Sequence, residues 1–349
     1  RRSDPGLLQE LCARAARWYA ANGEPVEALR FAARTDQPET TAAVLHQHAA
    51  TLLAAGRFEL LRDAWQRCPV ADVDADPTLA LVLALAFLDD GEASLVAELT
   101  SRADRALAEH GQHGSAQLAD THRWLRALVR TRYVWLTGEL QRSPATQLEL
   151  DRLPARAGAP AERALAHLTH SITKAAAGDL DAARVHATAA LHAAELTDQP
   201  YVAAQATVML AVVAVARGEL RDAGSLATRA DTLAPAALWR GTPGESVTSG
   251  IRCYAALMAG DPAHAIALAG PSVRYQAGEL SMQATAALAL MVVAIAHEDL
   301  GEHRHPWALI SSVRDQLPLD PLSRKVIAVG GLWEHEIALA MGDTERARE

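Results

Sequence analysis

Apolar and polar positions along the chain fall into a recurring block. A long run with apolar residues at most positions ends in a glycine followed by an acidic residue, and a second, more polar run comes next. Residues 164–177, then Gly178-Asp179-Leu180, then residues 181–196 are the clearest instance. The block predicts a helix pair. Its glycine takes the left-handed position that closes the first helix. The acidic residue opens the second helix, where a negative charge opposes the helix dipole. Gly218-Glu219-Leu220-Arg221-Asp222-Ala223 and Gly260-Asp261-Pro262-Ala263-His264-Ala265 repeat the pattern. Pro262 suits a first helical turn, where its missing N–H removes no bond.

The spacing is nearly constant. Gly23, Gly56, Gly91, Gly138, Gly178, Gly218, Gly260, Gly301 and Gly342 follow at intervals of 33, 35, 47, 40, 40, 42, 41 and 41 residues. Five of these glycines have alanine five residues later, at Ala28, Ala183, Ala223, Ala265 and Ala347. A small residue there marks where the second helix crosses the first closely. A fixed period of this length means stacked supersecondary units that bury their apolar faces against their neighbours. The fold class is therefore all-α: an α-solenoid of stacked antiparallel helix pairs, a tetratricopeptide-like superhelix. Shorter spacings and different side chains set residues 1–110 apart as an N-terminal helical subdomain, and the regular array occupies residues 111–349. Breaks at 111–114, 154–160, 235–244, 270–271 and 318–321 read as loops between pairs, because the period continues through them. The segment Leu238-Trp239-Arg240-Gly241-Thr242-Pro243 stands out among them, with an aromatic and a cation in a turn.

Composition agrees with helix stacking. Alanine and leucine are abundant, and aromatics make up 4% of the chain, which leaves few large side chains for one closed core. Net charge is −9, and Lys174 and Lys325 are the only lysines, so no basic run is present to neutralise phosphates. That argues against direct contact with nucleic acid. Cys12, Cys68 and Cys253 are far apart and odd in number, as expected of reduced, buried thiols in the cytoplasm. The apolar stretch from Leu79 to Leu88 stops at Asp89 and Asp90, short of a membrane span, and no signal peptide opens the sequence. A cytoplasmic location without membrane contact is the expectation. The start at Arg1 and the end within a helix pattern suggest a piece of a longer protein.

Patterns that could carry chemistry are incomplete. Asp72-Val73-Asp74-Ala75-Asp76 begins like a calcium loop, but Pro77 and Leu83 stand where glycine and glutamate are needed. Asp76 is expected instead to cap a helix that starts at Pro77. His297 and Glu298 lie near His303 and His305, but Gly301 and Glu302 break the helical register a zinc pair requires. His46 with His48, and His167 with His170, have no cysteine or acidic companion at ligand spacing and read as surface or interhelical residues. There is no G-x-S-x-G elbow, and Cys253 falls where a helix crossing wants a small side chain. The chain is expected to be no enzyme, with no metal and no cofactor of its own.

Residues 15–32, Ala-Ala-Arg-Trp-Tyr-Ala-Ala-Asn-Gly-Glu-Pro-Val-Glu-Ala-Leu-Arg-Phe-Ala, resemble a helix pair of the large ATP-binding LuxR-family regulators of the maltose-activator type. His48-Ala49, Leu52-Leu53-Ala54-Ala55-Gly56-Arg57 and Asp76-Pro77-Thr78-Leu79-Ala80-Leu81 are similar too. Side-chain likeness covers about residues 10–110, and likeness of organisation covers the whole chain. The resemblance implies a sensor superhelix that follows an ATP-binding module and precedes a DNA-reading helix-turn-helix. Neither module lies in this sequence, since no G-x-x-x-x-G-K-[ST] loop occurs. It further implies a small-molecule inducer or an inhibitory protein as partner, and self-association of the parent protein. ATP would belong to the upstream module only.

In such arrays the first helix of each pair lines the concave wall. Aligning the units on their glycines places Leu128, Arg132 and Trp135 on that wall, then Leu168, Ile172 and Ala175. Gln205, Val208, Val212 and Val215 follow, then Tyr254 and Leu257, then Met291, Ile295 and Glu298. A mostly apolar wall with isolated polar anchors suits a small ligand. The same stripe could equally be the core between paired helices. A scaffold that docks a partner protein or peptide remains the alternative.

Overall fold

The structure is a computed structural model that describes residues 5–35, 37–66, 76–88, 92–110, 116–137, 160–275, 284–301, 306–315, 317, 321–340 and 342–345. Its described residues form helices and turns with no strand. The N-terminal part holds α1 (Pro5–Ala21), α2 (Pro25–Ala32), α3 (Pro38–Ala54), α4 (Phe58–Trp65), α5 (Pro77–Leu88) and α6 (Ala93–His110). The middle holds α7 (Ala116–Thr137), α8 (Pro160–Ala176), α9 (Leu180–Leu196), α10 (Pro200–Arg217), α11 (Leu220–Leu233) and the single turn α12 (Ala236–Trp239). The last part holds α13 (Pro243–Met258), α14 (Pro262–Leu268), α15 (Gly270–Tyr275), α16 (Ala284–Asp299), α17 (Pro306–Asp315) and α18 (Pro321–Ala340).

Helices pack on their neighbours in sequence, most extensively α8 on α9, α10 on α11, α9 on α10 and α5 on α6. The turns between them follow the predicted chemistry. Gly178, Gly218, Gly260 and Gly301 all have positive φ, and Gly218 closes α10 with its N–H on the Ala214 and Val215 carbonyls. The Asp179 carboxylate accepts from the Ala182 N–H at 3.1 Å, and Asp261 accepts from the His264 N–H at 3.0 Å. Glu219 makes no such bond, so its role at the start of α11 is charge alone. Gly91, Gly138 and Ala347 lie outside the described residues.

The alanine positions sit at close crossings, as their spacing predicts. Ala28, Ala183, Ala223 and Ala265 are each 0% exposed. On α9 the alanine row continues through Ala187, Ala190 and Ala194, and on α11 through Ala227 and Ala230, all fully buried. Recurrence every three or four residues puts each row on one helical face. The Ser171 hydroxyl of α8 reaches the Ala183 carbonyl of α9 at 2.9 Å, a bond possible only where two backbones come close.

The core runs across residue 110. One cluster joins Leu53, Leu85, Leu128 and Val208 and runs on to Ile251, and a second begins at Cys253 and runs to Ile337. Two helices are apolar nearly all round. In α5 every residue but Phe87 is buried, and α10 is buried at most of its positions. A helix with no polar face must be covered on every side. For α10 that cover includes the N-terminal part, since Phe58 meets Tyr201 edge to face at a centroid distance of 5.2 Å. α3 also packs on α8, and Lys325 of α18 donates to the Ala216 carbonyl at the end of α10 at 2.6 Å. Both ends of the chain thus fold back on the middle of the array. By length and composition α10 could cross a membrane, but 67% of it is buried inside the protein, which makes it a core helix.

Candidate functional site

The predicted concave wall is largely core. Leu128, Leu168, Ile172, Val208 and Val212 are buried within the first cluster, and Met291 is buried within the second. One helix face can serve as wall or as core, for a physical reason. Turn glycines fix which residues share a helix face, but only packing decides whether that face meets solvent, and here returning segments cover it. Met291 illustrates this, since its Sδ lies 2.9 Å from where a β-carbon on Gly330 of α18 would stand. Arg132, Gln205, Val215, Tyr254 and Ile295 are half-buried. Gln205 spends its amide N–H on the Tyr201 hydroxyl one turn back, at 2.9 Å. Tyr254 packs edge to face on Trp333, and burial pushes its phenol pKa up. Trp135 is in α7, with its side chain outside the described residues. The buried positions among them fall in two separate clusters.

The conspicuous turn after Pro235 is also an inside feature. Trp239 is 3% exposed, and its Nε1–H donates to Asp231 Oδ1 at 2.8 Å. The Thr248 hydroxyl donates to the same oxygen at 2.6 Å, while Arg252 pairs with Oδ2 at 3.1 Å. One carboxylate thereby ties α11, α12 and α13 together. The indole lies against Gly244, where a β-carbon would come within 2.5 Å of the ring. The turn is a staple.

Two histidine groups form without metal-site geometry. The Nδ1 atoms of His167 (α8) and His186 (α9) are 3.2 Å apart, so one donates and the other accepts, and the His170 ring stacks on His186. Desolvation lowers the His167 pKa. In the N-terminal half His122 shares a 2.7 Å hydrogen bond with the Thr78 hydroxyl, and His46 pairs with Asp76 at 3.4 Å. Asp76 also caps α5 as predicted, accepting from the Thr78 N–H at 2.9 Å and the Leu79 N–H at 3.2 Å. Burial lowers the His122 pKa, with Asp76 opposing and His46 reinforcing. A hydroxyl on imidazole nitrogen imitates a nucleophile and its base, but Thr78 is 2% exposed. No group of three histidine, cysteine or acidic side chains suited to a metal occurs among the described residues. Cys12 and Cys253 are buried free thiols, and burial pushes Cys253 up to about 12. Cys68, Asp72, Asp74, His303 and His305 fall outside the described residues.

An open concavity lies elsewhere among the described residues, between α11, α13 and α14. It has a volume of about 630 Å³ and takes Arg221, Gly224 and Thr228 from α11, Arg252 and Ala255 from α13, and His264 from α14. Positions 221, 224 and 228 are successive turns of one helix face. The sequence places the candidate wall on first helices, so it misses this groove, which draws on the second helix α11. The available signal was Gly224, a glycine inside a helix that no turn requires.

No protein-family model matches the chain. No curated protein matches it either. Among solved structures, the crystal structure of the P58(IPK) TPR domain aligns over 94% of this chain and 97% of its own, at 14% identity and a TM-score of 0.29. So loose an overlay says nothing of binding, and the helix-pair architecture stands on the packing described above.

Proposed function

We propose that this chain is the signal-receiving repeat domain of a cytoplasmic transcriptional regulator, built to bind and to respond, with no catalysis of its own. The observation that carries the reading is the seat of the N-terminal helices on the array. Gly56 and Phe58 press against Tyr201 at the start of α10, so whatever shifts the array shifts the N-terminal helices with it. In the family that residues 15–32 resemble, an ATP-dependent switch lies on that side. A signal can move such an equilibrium only by binding one arrangement more tightly than the other. The seat is a contact that two arrangements can hold differently.

The coding sequence around this segment tests the proposal. A phosphate-binding loop upstream and a helix-turn-helix downstream are the expected result, and a gene with neither would sink it. In the whole regulator, Tyr201→Ala should change the uninduced activity, because it loosens the seat without touching any ligand.

A protein-docking scaffold is the second reading, favoured by α1. Leu7, Leu11 and Trp18 are all about half exposed or more on that helix, an apolar surface of the kind that partners cover.

A further inference from the structure

We propose that the groove between α11, α13 and α14 binds a small organic anion with an apolar body, a carboxylate on an aliphatic or aromatic chain. This names the signal for the receiver proposed above and rests on that reading. Charge is the first argument. Three basic side chains line the groove, Arg221, Arg252 and His264, and no acidic one does, although the chain as a whole carries a net charge of −9. Asp231 balances Arg252, so the positive charge that concentrates anions here is that of Arg221.

Preorganisation is the second argument. Arg252 is anchored by Asp231, which is itself held by Trp239 and Thr248. An arginine held in place before binding loses little freedom when a carboxylate arrives, and its planar fork matches a carboxylate in geometry.

The third argument is the floor. Ala255, Ala256 and Met258 give it an apolar lining, and Met258 is 54% exposed. Gly224 is not demanded by packing, because a β-carbon there would stand at an ordinary 3.5 Å from the Ala255 Cβ. Glycine weakens a helix interior. What it supplies here is width. The resulting volume, about 630 Å³, falls in the range of small-molecule sites, roughly 300–1,000 Å³.

Calorimetry of the chain with octanoate, octanol and octyltrimethylammonium tests the proposal. Octanoate should bind saturably, octanol about tenfold or more weakly, and the cation not at all. Arg221→Glu, on an exposed residue, should weaken octanoate by about tenfold and leave octanol unchanged. Thr228→Trp should block both by filling the groove. Melting curves of both variants should match the parent. Equal binding of acid and alcohol, no octanoate binding up to millimolar levels, or an unaffected Arg221→Glu would overturn the anion site. Hydrogen exchange of α1–α4 separates the two proposals. Octanoate that binds at the groove but leaves exchange there unchanged supports the site and overturns the receiver.

Discussion

A β-carbon on Gly56 would stand 2.6 Å from the ring of Tyr201, closer than any real packing allows. Gly56 also has φ +65°, a conformation that only glycine adopts without strain. Two independent demands therefore meet at one residue. The other turn glycines Gly23, Gly218, Gly260 and Gly301 also have positive φ, but open space surrounds their Cβ positions.

Gly56→Ala should consequently destabilise more than Gly218→Ala. The left-handed backbone costs each variant about 1–2 kcal/mol. Overpacking against Tyr201 adds about 1–3 kcal/mol at position 56 alone. Urea unfolding of the two variants measures the difference, and equal losses would mean that the seat on α10 is not formed in solution.

Leu168→Ala and Val208→Ala probe the interior assignment. As core residues, they should lose about 2–4 kcal/mol in the unliganded protein. Side chains lining an open wall would lose far less. Thermal melts near the parent value for both would restore the wall.

Removing the staple around Asp231 should loosen three helices at once. Asp231→Ala leaves the Trp239 indole N–H and the Arg252 guanidinium without their acceptor and should cost about 2–4 kcal/mol. Trp239→Phe keeps the bulk against Gly244 and drops one hydrogen bond, for about 1 kcal/mol. If the aspartate variant proves the milder of the two, the carboxylate is not the organising group.

Acid should weaken the fold through two imidazoles. His122 and His167 both have folded pKa values below the ordinary 6.5, chiefly because burial disfavours their charged forms. The unfolded chain then takes up protons before the folded one does, so stability is full above about 6.5 and falls as pH drops below it. A double His122→Gln, His167→Gln variant should show a flatter melting temperature between pH 7 and pH 5 than the parent. An unchanged slope would place the acid sensitivity in other groups.

Much of the architecture was legible in the linear pattern, and for a local reason. Left-handed turn glycines such as Gly178 and Gly218, the caps at Asp179 and Asp76, and the crossing alanines Ala183 and Ala223 are set by contacts within one helix pair. Each depends on residues a few positions away or on the adjoining helix, so spacing alone exposes them.

What spacing could not reveal is what covers a given face. Val208 and Leu168 share the periodicity of a lined wall and of a filled core, and the choice was made by helices that return from distant parts of the chain. Trp239 reads only as an aromatic in a turn until Asp231 and Gly244 are brought beside it. The groove was hidden for the opposite reason. It arises where Gly224 and Ala255 leave room between neighbouring helices, and a missing side chain gives no apolar pattern to read. The sequence by itself determined the helix pairs and their turns, because those rest on backbone conformation and nearest-neighbour contact. Only the tertiary structure decided which apolar faces are sealed and which concavity stays open, because burial depends on every segment that packs against a surface.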